Sequence, residues 1–245
     1  MLFMGLDGLF GDVPDAAVFA DTQGEPRQVY DWLDRIEREV APFPIHRVTV
    51  GDLIADYVDG RRRAAIPAYS TSHAGKPMMM SRFCSVTYKV EAIRRKVREL
   101  AGPNGRAESW IGISTDEAHR GFKPSGRLWL TNRYPLLEAG IDRSACREHI
   151  VARLGAEPPK SACVFCPFHS EAQWIDLKRN HPEDFARAVA IDERIRDMDN
   201  DRWDRPRFLH RSMQPLAQVE FRHENQSRFV FEDAFGNECE GVCGV

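Results

Sequence analysis

The chain has no apolar run approaching the roughly 20 residues needed to cross a bilayer. Its apolar start, MLFMGLDGLFGDV, lacks a basic leading region and a small-residue cleavage site, and Asp7 and Asp12 interrupt it; a secretory leader is therefore not expected. Nor is there an excess of positive charge. With 34 Lys and Arg against 37 Asp and Glu, the net charge is −3, so any contact with nucleic acid has to come from a local patch. Internal repeats and low-complexity tracts are absent. Together these absences predict a soluble cytoplasmic protein without membrane partners, a setting in which free thiols and metal ligands outnumber structural disulfides.

The 245 residues, 42% apolar and 29% charged, suffice for one compact domain with a sizeable core. DAAVFADT (15–22) is a short apolar run that delivers Asp21 and Thr22 to its end, as a buried parallel strand does. Residues 25–40 carry Val29, Trp32, Leu33, Ile36 and Val40 at helical spacing, with Glu25 and Pro26 at the start. IHRVTV (45–50) reads as the next strand and GDLIADYVDG as the next helix. The alternation predicts an α/β, doubly wound, mostly parallel sheet with ligands at its carboxyl edge.

From Arg61 to Ser81 periodicity fails, and a long loop is expected. A basic amphipathic helix follows (88–100), then a strand at 109–114 that leads into Asp116, Glu117 and Arg120, and an extended segment at 127–136. Helices are expected over DRSACREHIVARLG, ended by Gly155, and from Glu171 to Met198 with a break near Asn180-His181-Pro182. We divide the chain into an α/β domain, 1–220, and a tail, 221–245, with a Cys-x3-Cys spacing.

The six cysteines carry most of the chemistry. Cys163 and Cys166 in KSACVFCPFHS form a C-x-x-C pair, which serves as a metal clip, a redox dithiol or two packed thiols. With Cys84 and Cys146 they make a set of four, enough for a tetrahedral zinc or a 4Fe–4S cluster; spacing does not separate the two. His169 fits a core or capping role better than ligation. Cys239 and Cys243, between glycines at the C-terminus, suit a redox thiol that visits a site. Arg82, Lys89, Arg94 and Arg95 form the strongest local basic cluster, suited to phosphate, sulfate or a nucleic-acid backbone. Asp21 and Thr22 are placed to meet adenosine or a metal-bound phosphate; Glu25 is read as a helix-start carboxylate.

The segments FADTQGEP, SRFCSVTYKVEAIRR, WIGISTDEAHR, YPLLEAGIDRSAC and KSACVFCPFHS, in that order, resemble the adenine nucleotide alpha hydrolase superfamily of PP-loop proteins, and within it the phosphoadenylyl sulfate reductase-like branch. The resemblance implies nucleotide-linked sulfur chemistry on an adenine sulfonucleotide or ATP. It also implies a 4Fe–4S cluster on Cys84, Cys163 and Cys166, with Cys146 as the fourth ligand, a tail cysteine (Cys239 or Cys243) as the catalytic thiol, and a thioredoxin-like reductant. Asp21, Thr22, Arg82, Lys89, Arg94 and Arg120 would hold the nucleotide. Two features depart from that pattern. Phe83 stands where an upstream cysteine pair is usual, and the first strand and Ser-Gly-rich phosphate loop are missing before residue 1, so translation starts further upstream or the usual phosphate cradle is lacking. Relatives that thiolate tRNA or DNA give a second expectation, with Arg61, Arg62 and Arg63 on phosphates; a zinc-stapled, non-catalytic binding module is a third.

Overall fold

The computed structural model describes residues 1–60, 66–196, 198 and 205–221. Cys239 and Cys243, nearly all of the 221–245 tail, and the arginines at 61–63 lie outside the described residues.

The elements run α1 (Leu2–Leu6), β1 (Ala17–Ala20), α2 (Arg27–Val40), β2 (Ile45–Val48), α3 (Leu53–Val58), β3 (Tyr69–Thr71), β4 (Pro77–Met79), a π-helical segment (Ser85–Val90), α4 (Glu91–Ala101), β5 (Ala107–Trp110), a 3-10 turn (Thr115–Arg120), β6 (Leu130–Arg133), α5 (Pro135–Glu138), α6 (Arg143–Leu154), α7 (Glu171–Asn180), α8 (Pro182–Arg196) and a 3-10 turn (Leu216–Gln218). The class is mixed α/β. Among the described residues the strands form three two-stranded pairs: β1 with β2 and β5 with β6 are parallel, while β3 with β4 is antiparallel.

Local chemistry explains most boundaries. Asp52 caps α3 by accepting from the N–H groups of Ile54 and Ala55, and Asp142 caps α6 by accepting from Ala145. Gly155 ends α6 in the left-handed region at φ 66°, a conformation that favours glycine. The expected break near Pro182 is present, with α7 ending at Asn180 and α8 starting at Pro182. The segment expected to be a loop differs. Within it, Tyr69–Thr71 and Pro77–Met79 pair as a short hairpin, and three-residue strands are too short to show an alternating pattern.

The largest apolar cluster joins Leu53 and Ile54 of α3, Ile66, Tyr88, Val164, Phe165, Trp174 and Leu177 of α7, Ala188 and Ile195 of α8, Leu209 and Leu216. Residues 205–218 are held to it by a backbone bridge between Tyr69 and Phe208 and by a buried carboxylate. Asp192, fully buried, accepts from the N–H groups of Leu209 (2.8 Å) and Leu216 (2.9 Å) and pairs with Arg196. Removing that group strands two backbone donors and a guanidinium at once. Asp192→Ala is expected to lower stability by about 3 to 5 kcal/mol in urea melts and to expose 205–218 to limited proteolysis ahead of the rest of the chain.

Candidate functional site

The turn after β1 organises the site. Asp21 accepts at one carboxylate oxygen from Tyr30 Oη and from the N–H of Gln23, both at 2.7 Å. Gln23 takes a left-handed conformation, φ 61°, which costs a residue with a Cβ about 1 kcal/mol. The carbonyl of Thr22 accepts from the first residue of α3, Leu53 (3.2 Å). Its hydroxyl accepts from the N–H of Gly24 and lies 3.1 Å from Cys163 Sγ.

The C-x-x-C stretch docks onto this turn. The N–H of Val164 donates to the carbonyl of Gly24 at 2.7 Å, and the N–H of Cys166 closes the cysteine turn on the carbonyl of Cys163 at 2.9 Å. Val164 and Phe165 are buried between the two sulfurs. The approach is so close that a Cβ on Gly24 would sit 2.4 Å from the Phe165 ring. Gly24→Ala therefore has to push that ring out of the core; a loss of about 1 to 3 kcal/mol is expected in a denaturation series.

His169 fastens the turn from the other side. Its Nε2 lies 3.0 Å from the Cys163 carbonyl, which can only accept, so Nε2 carries the proton. Burial pushes its pKa down to about 4, and the ring is neutral at ordinary pH. Its role here is structural. Ser170 then caps α7 in a reciprocal box with Gln173.

Cys84 arrives from a distant part of the chain, directly before the π-helical segment. In an α-helix a residue five positions on lies about 140° round the axis; the wider turn, with its i to i+5 hydrogen bonds, returns it to nearly the same side. Cys84 and Lys89 accordingly face one cavity. They share it with Cys163, Cys166, Thr22 and Arg82, around a void of about 50 Å³. That is the scale of an ion or a compact inorganic centre, well below the 300 Å³ or more that an organic ligand fills. An open groove of about 390 Å³ lies along α2. Asp31, Arg35 and Glu157 line it, so both signs of charge face the groove.

The electrostatics of the cavity are set by a buried ion pair. Glu25 is fully buried; its carboxylate accepts from Lys89 Nζ (3.1 Å) and from Ser161 Oγ (3.1 Å). Glu25 thus stands behind the cavity lining, holding Lys89 and Ser161, which do line it, and is not the helix-start carboxylate expected from its place before α2. Burial first, then the Glu25 charge, pushes the Cys163 thiol up to about 12, against the opposing pull of Lys89 and the Thr22 hydrogen bond. A bound cation reverses that balance and turns such thiols into thiolates.

The other expected residues lie elsewhere. Cys146 packs with Met1, Met4, Phe10, Trp110, Leu136 and Ile141, and is not among the residues lining the cavity. Burial raises its thiol pKa, with Asp142 and Asp116 adding to the effect. Of the basic cluster, only Arg82 and Lys89 reach the cavity; Arg94 donates to the Ser125 carbonyl at 2.6 Å, and Arg95 is exposed. Arg120 pairs with buried Glu117 at 2.5 Å. Asp116 accepts from the N–H of Arg143 at the start of α6, which lowers its pKa, and the Arg143 guanidinium pairs with Glu117 at 3.2 Å.

As they stand, the three thiols line one void without closing on a point: among the described residues, no three His, Cys, Asp or Glu side chains lie at metal-binding spacing. The donor set is nevertheless thiol-only, with two cations beside it, and fits a thiophilic group held by three cysteines better than one held by four. No protein-family model matches the chain, and no curated protein or solved structure is significantly similar to it.

The pair under the cavity is testable by itself. Lys89→Met leaves the Glu25 charge buried without its ammonium and is expected to cost about 3 to 5 kcal/mol. Most of that loss should return in the Glu25→Gln/Lys89→Met double variant, read as a coupling energy from the four melts.

Proposed function

We propose that the chain is a metalloprotein of nucleotide-linked sulfur chemistry, in which Cys84, Cys163 and Cys166 hold a 4Fe–4S cluster and the substrate is an adenylyl sulfate. A doubly wound arrangement of the parallel pairs, with the nucleotide at their carboxyl edge, belongs to the same proposal. The observation that carries it is the meeting of three thiols from two distant segments in one cavity with Arg82 and Lys89. A single zinc ion needs four donors converging at about 2.3 Å for sulfur, whereas a cluster spreads its thiolate bonds over separate irons.

The chain's own residues have definite tasks in that scheme. Thr22 supplies a hydroxyl to Cys163 Sγ. Glu25 fixes the Lys89 ammonium at the cavity wall, and with Arg82 that ammonium offsets thiolate charge and attracts an anionic substrate. The void is too small for a nucleotide, so the nucleotide binds outside it, toward Asp21 and the turn after β1. Held by Cys84, Cys163 and Cys166, a cluster would supply redox-active iron at the cavity. The Cys239 or Cys243 thiolate attacks the sulfate sulfur, expelling AMP and leaving a cysteine S-sulfonate; a dithiol reductant then releases sulfite and is itself oxidised to a disulfide.

Metal and sulfide analysis of anaerobically purified protein tests the centre. Iron and labile sulfide with a broad visible absorption are expected in the parent and in Cys146→Ser, and are expected to be lost in the Cys163→Ser/Cys166→Ser double variant. Stoichiometric zinc without colour would make the cysteine turn a structural clip, and loss of iron in Cys146→Ser would restore a four-cysteine centre. Sulfite release from adenylyl sulfate is expected to vanish in Cys239→Ser/Cys243→Ser; undiminished release sinks the tail thiol.

A further inference from the structure

A second polar centre lies beyond the cysteine turn, in the segment FLHRSMQPL (208–216). His210 is 5% exposed, with the Phe221 ring packed edge-on against it at 5.6 Å. Its Nδ1 lies 2.8 Å from Ser212 Oγ and 3.2 Å from the Ser212 backbone N–H. A backbone N–H can only donate, so Nδ1 is the unprotonated nitrogen. Nε2 therefore carries the proton, and it donates that proton to Glu171 Oε1 at 2.9 Å. The tautomer is fixed from both sides.

Glu171, the first residue of α7, is itself buried, and Arg211 Nη2 reaches the same carboxylate oxygen at 3.4 Å. Ser212, in contrast, is exposed. Its turn is closed by the N–H of Met213 on the His210 carbonyl at 3.0 Å, with Met213 at φ 54°. Backbone strain of this kind collects at reactive turns. A buried carboxylate orients a buried imidazole, whose unprotonated nitrogen meets an accessible hydroxyl: these are the three roles of an activated-serine site. An ordinary helix-start glutamate would face solvent, and an ordinary turn serine would bond its own backbone; neither does so here.

We propose that Ser212 is an activated nucleophile, with His210 as its base and Glu171 as the positioning residue, and that it accepts the acyl group of a small ester carrying negative charge. The half-exposed guanidinium of Arg211 beside the relay supplies the preference for an anion. Ser212 Oγ bonds to the carbonyl carbon as its proton passes to His210 Nδ1. The ester C–O bond breaks, and the leaving alkoxide takes that proton. Water then attacks the acyl-serine by the same route, releasing the carboxylic acid and restoring the hydroxyl. Neither a metal nor a redox partner takes part, so this site stands or falls independently of the cysteine centre.

The full chain treated with a fluorophosphonate probe and mapped by peptide mass tests the assignment. One dominant adduct on Ser212 is expected, absent in Ser212→Ala and formed about 100-fold or more slowly in His210→Gln, the range for loss of a general base. Turnover of a 4-nitrophenyl ester with a terminal carboxylate should exceed that of the neutral acetate ester and disappear in Ser212→Ala. Absence of a Ser212 adduct in the folded parent protein overturns the proposal, as does a labelling rate that His210→Gln leaves unchanged. Should His210→Gln fail to melt cooperatively, the parent and Ser212→Ala decide alone.

Discussion

Seating residues 163–166 against the turn after β1 is the constraint from which the rest of the site follows. Val164 and Phe165 occupy the largest core cluster, and burying two such side chains contributes about 3 to 6 kcal/mol before entropy is counted. The two residues between the cysteines therefore anchor the turn, and the sulfurs are carried to the cavity as a consequence. The partner turn is held with equal economy. Its backbone meets Val164 through Gly24 and α3 through Thr22, while Arg187 of α8 donates to the carbonyls of Gln23 and Glu25 at 3.3 and 3.4 Å. The left-handed backbone at Gln23 is tolerated because these partners over-determine it.

Charge completes what packing begins. A fully buried Glu25 is costly unless its ammonium partner and the Ser161 hydroxyl stay in place. The π-helical turn is what brings that ammonium to the same side as Cys84. The carboxylate and the apolar surroundings together disfavour a thiolate at Cys163, whereas Lys89 and Thr22 favour one. Burial wins that opposition, and the Cys163 thiol stays protonated.

The sequence made the cysteine turn, the strand ending in Asp21-Thr22, the α6 stop at Gly155 and the break at Pro182 legible, because each rests on interactions a few residues apart. What it did not reveal depends on the third dimension. Cys146 shares a segment order with the other cysteines, yet α6 buries it against Met4 and Phe10 on another part of the core. Glu25 before a proline and a helix resembles any helix-start acid; only the arrival of Lys89 and Ser161 makes it the anchor of two cavity-lining residues. The basic run from Arg82 to Arg95 reads as one cluster, but a π-turn followed by an α-helix sends its members in different directions. A π-turn leaves no periodicity signature in six residues. The His210 relay was not anticipated, since Glu171 lies 39 positions upstream of its imidazole.

Residues 163–171 also explain how two polar centres can stand close together without sharing a group. His169 ties its imidazole back to the Cys163 carbonyl, and the Ser170–Gln173 box fixes the next residue as the first of α7. From there the Glu171 carboxylate meets His210 and Arg211. On the other flank Tyr69 donates to the Pro167 carbonyl at 3.4 Å and lies in the field of both Cys166 and Arg211. Burial is the main cause of its phenol being pushed up to about 12, so Tyr69 stays neutral and separates the thiol side from the guanidinium side with an uncharged ring. One stretch of nine residues thereby presents thiols at one end and a carboxylate at the other. The spacing between the two chemistries is set by a helix cap and not by a flexible loop.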